Sequence, residues 1–205
     1  MNVDLSLVLA LDVSASVDEQ EFAQQRDGLA AAVTHPSVIE AIGFGRNRRI
    51  AVTVVQWSGY QKQFVAVPWH VIDGPDAATA FAQELLGMTR ITTNGFTHIG
   101  GAIRYSVRIA QRAEFTASRM VIDVSGDGTN NVLPHPPSER DSAVNAGFTV
   151  NGLVILNEAK ALDDYYRKHV IGGPGAFVIT AQSYDDYAKA MIQKLIREIV
   201  DQQLS

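Results

Sequence analysis

Residues 6–13 read SLVLALDV, a nearly unbroken apolar run rich in Leu and Val that stops at Asp12. A strand wetted on one face alternates apolar and polar side chains. One that is apolar throughout has both faces covered, as central parallel strands do. The run therefore predicts the middle of a parallel sheet, with an aspartate delivered at the strand's carboxyl end.

The segments that follow repeat this alternation of strand and helix. Residues 18–33 predict a helix with Phe22, Leu29 and Val33 on its inner side and Asp18, Glu19 and Glu21 in the first turn, where they favour the positive helix terminus; Ser16 or Asp18 caps it. A turn cluster at residues 43–47 leads to a strand over residues 49–57, RIAVTVVQW, and a polar turn at 58–61 predicts a hairpin into residues 63–72, whose Pro68 belongs on an edge strand. Further helices are expected over residues 77–87 and 99–114, the latter burying Ile103, Val107 and Ala110, with the polar stretch MTRITTNGFTH between them. Residues 119–125 form another short apolar strand ending in the loop GDGTNN, the second strand to end in an aspartate. A helix over 138–146 has Ser138 and Asp141 in capping-box spacing, and a strand over 149–156 follows it. A short helix over 163–169, a strand over 177–181 and an amphipathic helix over 184–202 complete the order. This alternation predicts an α/β doubly wound fold: a mostly parallel central sheet with helices on both faces and one antiparallel edge strand. Ligands in such folds bind outside the carboxyl ends of the strands. No repeat or linker divides the chain, so residues 1–205 are read as a single domain.

Composition narrows the function. At 205 residues, 46% hydrophobic and 19% charged, the chain matches a compact globular domain. Its net charge of −5 opposes the phosphate-neutralising surface that nucleic acids require. With no cysteine, disulfides, thiolate metal sites and thiol nucleophiles are excluded. No apolar stretch approaches the roughly 20 residues of a membrane span, and the apolar segment at residues 5–11 is too short for a signal peptide. His35, His70, His135 and His169 show no zinc spacing.

Asp12, Ser14 and Ser16 recur at intervals of two, so an extended chain sends all three side chains into one crevice. A carboxylate with two hydroxyls is a hard-oxygen set suited to Mg²⁺, Mn²⁺ or Ca²⁺. Taken alone, D-x-S-x-S is equally a set of helix-capping residues. Two other loops on the same predicted edge change the weighting: Thr97, just before a helix that opens with Gly100, Gly101 and Ala102, and Asp127, in the turn after a strand. Together these residues resemble a von Willebrand factor type A (vWA) domain with a metal-ion-dependent adhesion site. Asp12, Ser14 and Ser16 match its first motif, Thr97 with Gly100 and Ala102 the second, and Asp127 the third. The resemblance extends over residues 5–204, and the S-G-D-G-x-N-N segment is similar to a bacterial, largely uncharacterised subgroup that is typically exported.

The resemblance implies a Rossmann-like fold and a cation bound directly by Ser14, Ser16 and Thr97, with Asp12 and Asp127 acting through waters or alternating as ligands. It also implies a protein partner that offers an Asp or Glu to the metal, and a periplasmic or secreted location; a cytoplasmic one is the alternative. The expected function is a non-enzymatic, Mg²⁺-dependent (or Mn²⁺- or Ca²⁺-dependent) protein-binding module. The competing function is a Mg²⁺-dependent hydrolase or phosphoryl-transfer enzyme built on Asp12. Phosphatases of the haloacid dehalogenase type need an Asp where this chain has Ser14, and neither G-x-S-x-G nor a phosphate-cradling glycine motif is present. Among weaker candidates, His98 lines the metal mouth or caps the helix, Trp57 and Tyr60 anchor a partner or pack the core, Asn130 and Asn131 orient Asp127 or make the turn, and Asp123 meets a basic or hydroxyl partner.

Overall fold

The computed structural model describes residues 1–91, 95–157, 159 and 161–200. Its elements run β1 (Asn2–Asp12), α1 (Glu19–Val33), α2 (Pro36–Gly43), β2 (Ile50–Trp57), β3 (Gln63–Ile72), α3 (Pro75–Leu86), α4 (Ile99–Ala110), β4 (Thr116–Gly126), α5 (Pro136–Asn145), β5 (Phe148–Ile155), α6 (Leu162–His169), β6 (Val178–Ala181) and, after a 3₁₀ turn (Tyr184–Asp186), α7 (Tyr187–Val200). The strands form one sheet in the order β3-β2-β1-β4-β5-β6. β3 pairs antiparallel to β2 at the edge, and the other pairings are parallel.

The run that opens the argument sits where it was expected. β1 lies between β2 and β4, and its side chains divide between two cores. Leu5, Leu7, Leu9 and Leu11 pack with α1, α2, α3 and α7, including Leu29, Phe81 and Met191. Val8 and Ala10 face the other way, toward Ile99 and Ile103 of α4, Ala143 of α5 and Tyr166 of α6. Each such buried aliphatic side chain contributes about 1.5–3 kcal/mol. Between β1 and β4 the winding of the sheet reverses direction, and this switch point opens a crevice at the strands' carboxyl ends. Asp12 ends β1 and Asp127 follows β4, so both carboxylates reach that crevice.

Several local expectations need correction. α2 was not foreseen; Pro36 in its first turn and the His35 ring accepting from Ser37 N start it. α4 ends at Ala110, and its buried face runs through Ile99, Ala102, Ile103 and Ser106, leaving Val107 and Ala110 half-buried. α5 begins at Pro136 without a side-chain cap. Ser138 donates instead to the carbonyl of His135, so the predicted capping box is absent and the prolines' fixed φ starts the helix. The final helix begins at Tyr187, and residues 201 and 202 of its predicted span lie outside the described residues. α1 has the capping box that its acidic first turn foreshadows, with Asp18 as the cap and Glu21 as its reciprocal partner.

Candidate functional site

Three loops meet at the switch point. Beyond Asp12 the chain does not stay extended: Ser14 N–H turns back onto Asp12 Oδ1 at 2.7 Å, and Val17 N donates to Ser14 O at 3.1 Å. The i, i+2 argument for convergence is therefore replaced by a tight turn, which still brings the hydroxyls together, with Ser14 Oγ and Ser16 Oγ 3.3 Å apart. The other loops complete the cluster. Ser16 Oγ donates to Asp127 Oδ1 at 2.7 Å, and Thr97 Oγ1 lies 3.5 Å from Ser14 Oγ. All five expected residues thus gather in one spot, graded from fully buried Asp12 through Ser14 and Thr97 to exposed Ser16.

Close packing at two glycines makes the gathering possible. A Cβ on Gly126, where β4 passes β1, would stand 2.8 Å from Tyr166 Oη and 3.0 Å from Asp12 Oδ2. On Gly100, at the start of α4, it would stand 2.8 Å from the carbonyl oxygen of Pro134. The small residues after Thr97 thus let the β4–α5 loop lie against the helix start.

The surrounding residues fix the cluster. Asn131 accepts from Thr97 N through Oδ1 at 2.8 Å and donates its own N–H to Thr97 O at 3.0 Å, while Asn130 Oδ1 accepts from Gly100 N at 3.5 Å. The two asparagines hold the Thr97 loop rather than Asp127, because they lie beyond the turn that carries the carboxylate. Arg90 Nη2 donates to Ser14 O at 2.9 Å, and Tyr184 Oη donates to Asp127 Oδ2 at 3.0 Å. Neither was singled out from sequence, since a lone Arg in a loop and a Tyr before an amphipathic helix carry no pattern. His98 does not line the mouth. It is fully buried, stacks beneath Tyr60 with ring centroids 5.9 Å apart, and its pKa is pushed down first by burial and then by Arg104. Trp57 is core; Tyr60 is 58% exposed.

The electrostatics of the cluster are one-sided. Asp12 Oδ2 is buried with no hydrogen-bond partner. Burial, and then the neighbouring charge of Asp127, push the Asp12 carboxyl up to about 8, against the smaller opposing effects of the Ser14 hydrogen bonds and Arg90. Burial beside the same carboxylates keeps the Tyr184 and Tyr166 phenols protonated, so Tyr184 serves as donor to Asp127. Among the described residues no three His, Asp or Glu side chains group so as to hold a metal, so a cation here relies on hydroxyls as well as on Asp12 and Asp127. That donor set, hard oxygens with an unpartnered buried carboxylate oxygen, fits a divalent cation.

Comparison with solved structures gives the fold a name. Proximal thread matrix protein 1 from the mussel byssus superposes with a TM-score of 0.71 at 15% identity, over 97% of this chain and 48% of that one. A further structure of it, described as having a zinc-occupied MIDAS motif, superposes with a TM-score of 0.67 at 16% identity, over 97% and 48% of the two chains. The chain thus spans about half the length of these mussel proteins. The vWF domain of the type V pili tip protein Mfa5 from Porphyromonas gingivalis matches with a TM-score of 0.63 at 13% identity, over 94% of both chains. No curated protein matches. The fold is that of a von Willebrand factor type A domain. A family model described as "Protein of unknown function (DUF1194)" matches residues 2–203, and the chain belongs to that family.

Proposed function

We propose that the chain is a non-enzymatic interaction module in which Asp12, Ser14, Ser16, Thr97 and Asp127 hold a divalent cation, Mg²⁺ or its analogues Mn²⁺ and Ca²⁺, that accepts an Asp or Glu from a partner protein. When bound, the cation supplies an oxygen-seeking centre that is poorly neutralised by hydroxyl ligands and so favours an outside carboxylate. The observation that carries the reading is Asp12 Oδ2, buried without a partner in a cluster whose other groups are three hydroxyls and a second carboxylate. Within the protein, Ser14 N–H orients Asp12, Asn131 holds Thr97 through both its backbone and its side chain, and Tyr184 with Ser16 steadies Asp127. The zinc-occupied motif of the mussel relative supports a cation on this fold. The pilus and byssus neighbours support an adhesive role outside the cytoplasm, in the periplasm or beyond the cell. The reading takes residues 1–205 as one vWA-type unit. Among the described residues no helix is long and apolar enough to cross a membrane.

Thermal denaturation with and without Mg²⁺ or Mn²⁺ tests it. A cation at about 100 times its Kd stabilises by about 2.7 kcal/mol, a rise of roughly 5–10 °C in Tm for a domain of this size. Asp12→Ala should fold and show no rise. An equal rise in the variant would remove the assignment.

A further inference from the structure

The two flanks of the oxygen cluster differ in chemistry. On one side a small cleft is lined by Asp18, Glu21 and Asp127 together with Ser16 and Asn157. On the other a wider cleft of about 780 Å³ is walled by Tyr60, Phe96, Gly59 and Gly95 and reaches Ser16 and Thr97; Lys62 is the charged residue among its described lining. The oxygen cluster thus lies between an acidic flank and a largely apolar one.

The aromatic flank is held open by its backbone. Phe96 is 67% exposed and Tyr60 58%, although neither loop hangs free. His98 N donates to Ser58 O at 3.0 Å and Ala15 N to Gly95 O at 3.2 Å, tying the β2–β3 turn, the α3–α4 loop and the turn after β1 together. A Cβ on Gly95 would stand 2.8 Å from Ser58 Oγ, so that seam admits only glycine at this position. Tyr60 stacks on buried His98. Large rings kept in water by a tied backbone are the usual anchors of protein interfaces.

We propose that this cleft seats a bulky apolar side chain, best an aromatic one, next in sequence to the partner's metal-seeking Asp or Glu. The partner is then a protein segment that pairs an acidic with an aromatic residue. The inference rests on the reading of the oxygen cluster given above. Charge complementarity sets the direction of approach: Asp18, Glu21 and Asp127 repel an incoming acid from their side, and the aromatic side, with no acidic residue in its described lining, does not.

Three peptides of equal length test it: GGEFGG, GGESGG and GGQFGG, each titrated into the full chain in saturating Mg²⁺ and followed by amide NMR shifts. The Mg²⁺ thermal shift is run in parallel. The Glu-Phe peptide should bind at least about tenfold tighter than the Glu-Ser one, with shifts centred on residues 59–62 and 95–97. The Gln-Phe peptide should lose most of that affinity. The double variant Tyr60→Ala, Phe96→Ala should keep the Mg²⁺ thermal shift, since neither ring belongs to the oxygen cluster, and should bind the Glu-Phe and Glu-Ser peptides alike. With the thermal shift intact, equal binding of the first two peptides by the unsubstituted chain overturns the cleft inference alone, whereas no binding of either overturns it together with the reading that the cation takes an outside carboxylate. A preference that survives in the double variant also overturns the cleft inference alone. Loss of the thermal shift itself overturns the reading of the cluster, and the inference with it.

Discussion

Asp123 lies inside β4 and Asp127 just past its end, and the two carboxylates meet opposite fates. In the core, Asp123 Oδ1 lies 2.9 Å from Lys194 Nζ, which also reaches Glu198 Oε1 at 2.6 Å, and Asn151 Nδ2 donates to that same oxygen at 2.9 Å. At the sheet edge Asp127 shares its surroundings with Asp12, and among the described residues neither forms an ion pair. Arg90 comes near, but its Nη2 donates to the carbonyls of Val13 and Ser14 and its Nη1 lies 3.6 Å from Glu19 Oε1. Buried Asp123 and Glu198 share a lysine from within the chain, while buried Asp12 and half-buried Asp127 accept hydrogen bonds only from hydroxyls and a backbone amide among the described residues. The contrast separates an internal structural cluster from one suited to an external cation.

Breaking the internal cluster should give the largest effect. Lys194→Met leaves Asp123 and Glu198 buried without their cation, and removing one partner from a buried pair costs about 3–5 kcal/mol. For a chain of this length that is a fall in Tm of roughly 6–20 °C. Adding Asp123→Leu and Glu198→Gln, which takes away the stranded charges and keeps an acceptor for Asn151, should recover much of the loss. Urea denaturation of the single and triple variants measures both, and a triple variant as unstable as the single one would mean that packing of the Lys194 stem, not charge, matters at this spot.

The pH dependence compares the two acid pairs directly. Asp12 is pushed up to about 8 and Asp123 to about 7, each chiefly by burial, from the ordinary aspartate range. The folded chain therefore keeps protons that the unfolded chain has released, and stability falls with rising pH wherever the native state binds more protons. In chelator, the contribution is fully present below about pH 4 and drains away as pH rises through 7 to 8. Asp12→Asn and Asp123→Asn should each flatten part of that slope. Divalent cation should oppose the loss in the parent and in Asp123→Asn, but not in Asp12→Asn. Denaturation midpoints between pH 4 and 9, with chelator and with Mg²⁺, distinguish these outcomes; a slope of the opposite sign would contradict the burial argument.

Much of this was legible from the chain because residues 5–11 of β1 carry Ser6 as their one polar side chain, and so apolar a run marks a strand covered on both faces. Asp12, Ser14, Ser16 and Asp127 were legible because they stand at or just past strand ends, and Thr97 because it stands just before a helix on the same edge. Their meeting was anticipated for a partly mistaken reason, since the turn made by Ser14 N–H onto Asp12 was not visible in the spacing. Arg90, Tyr184 and Lys194 stayed hidden because their roles depend on partners distant in sequence: Ser14, Asp127 and Asp123. Lys194 sits on the buried side of an otherwise ordinary amphipathic helix, and only the fold reveals that an aspartate waits opposite. Asp123 had been expected to need such a partner, which burial alone required.

The finest comparison is between a group inside the oxygen cluster and one that merely holds it. Thr97→Ala removes a proposed hydroxyl ligand and should weaken Mg²⁺ binding by about tenfold or more. Asn131→Ala removes only the acceptor for Thr97 N, while the backbone bond from Asn131 N to Thr97 O at 3.0 Å remains to hold the loop. Its effect should be smaller, a few-fold loss of affinity by calorimetry, with little change in the Tm measured in chelator. If Asn131→Ala were as damaging as Thr97→Ala, the side chain rather than the backbone would be setting the height of the threonine. If Thr97→Ala changed nothing, the cation would be held without it, by Asp12, the serines and Asp127 alone.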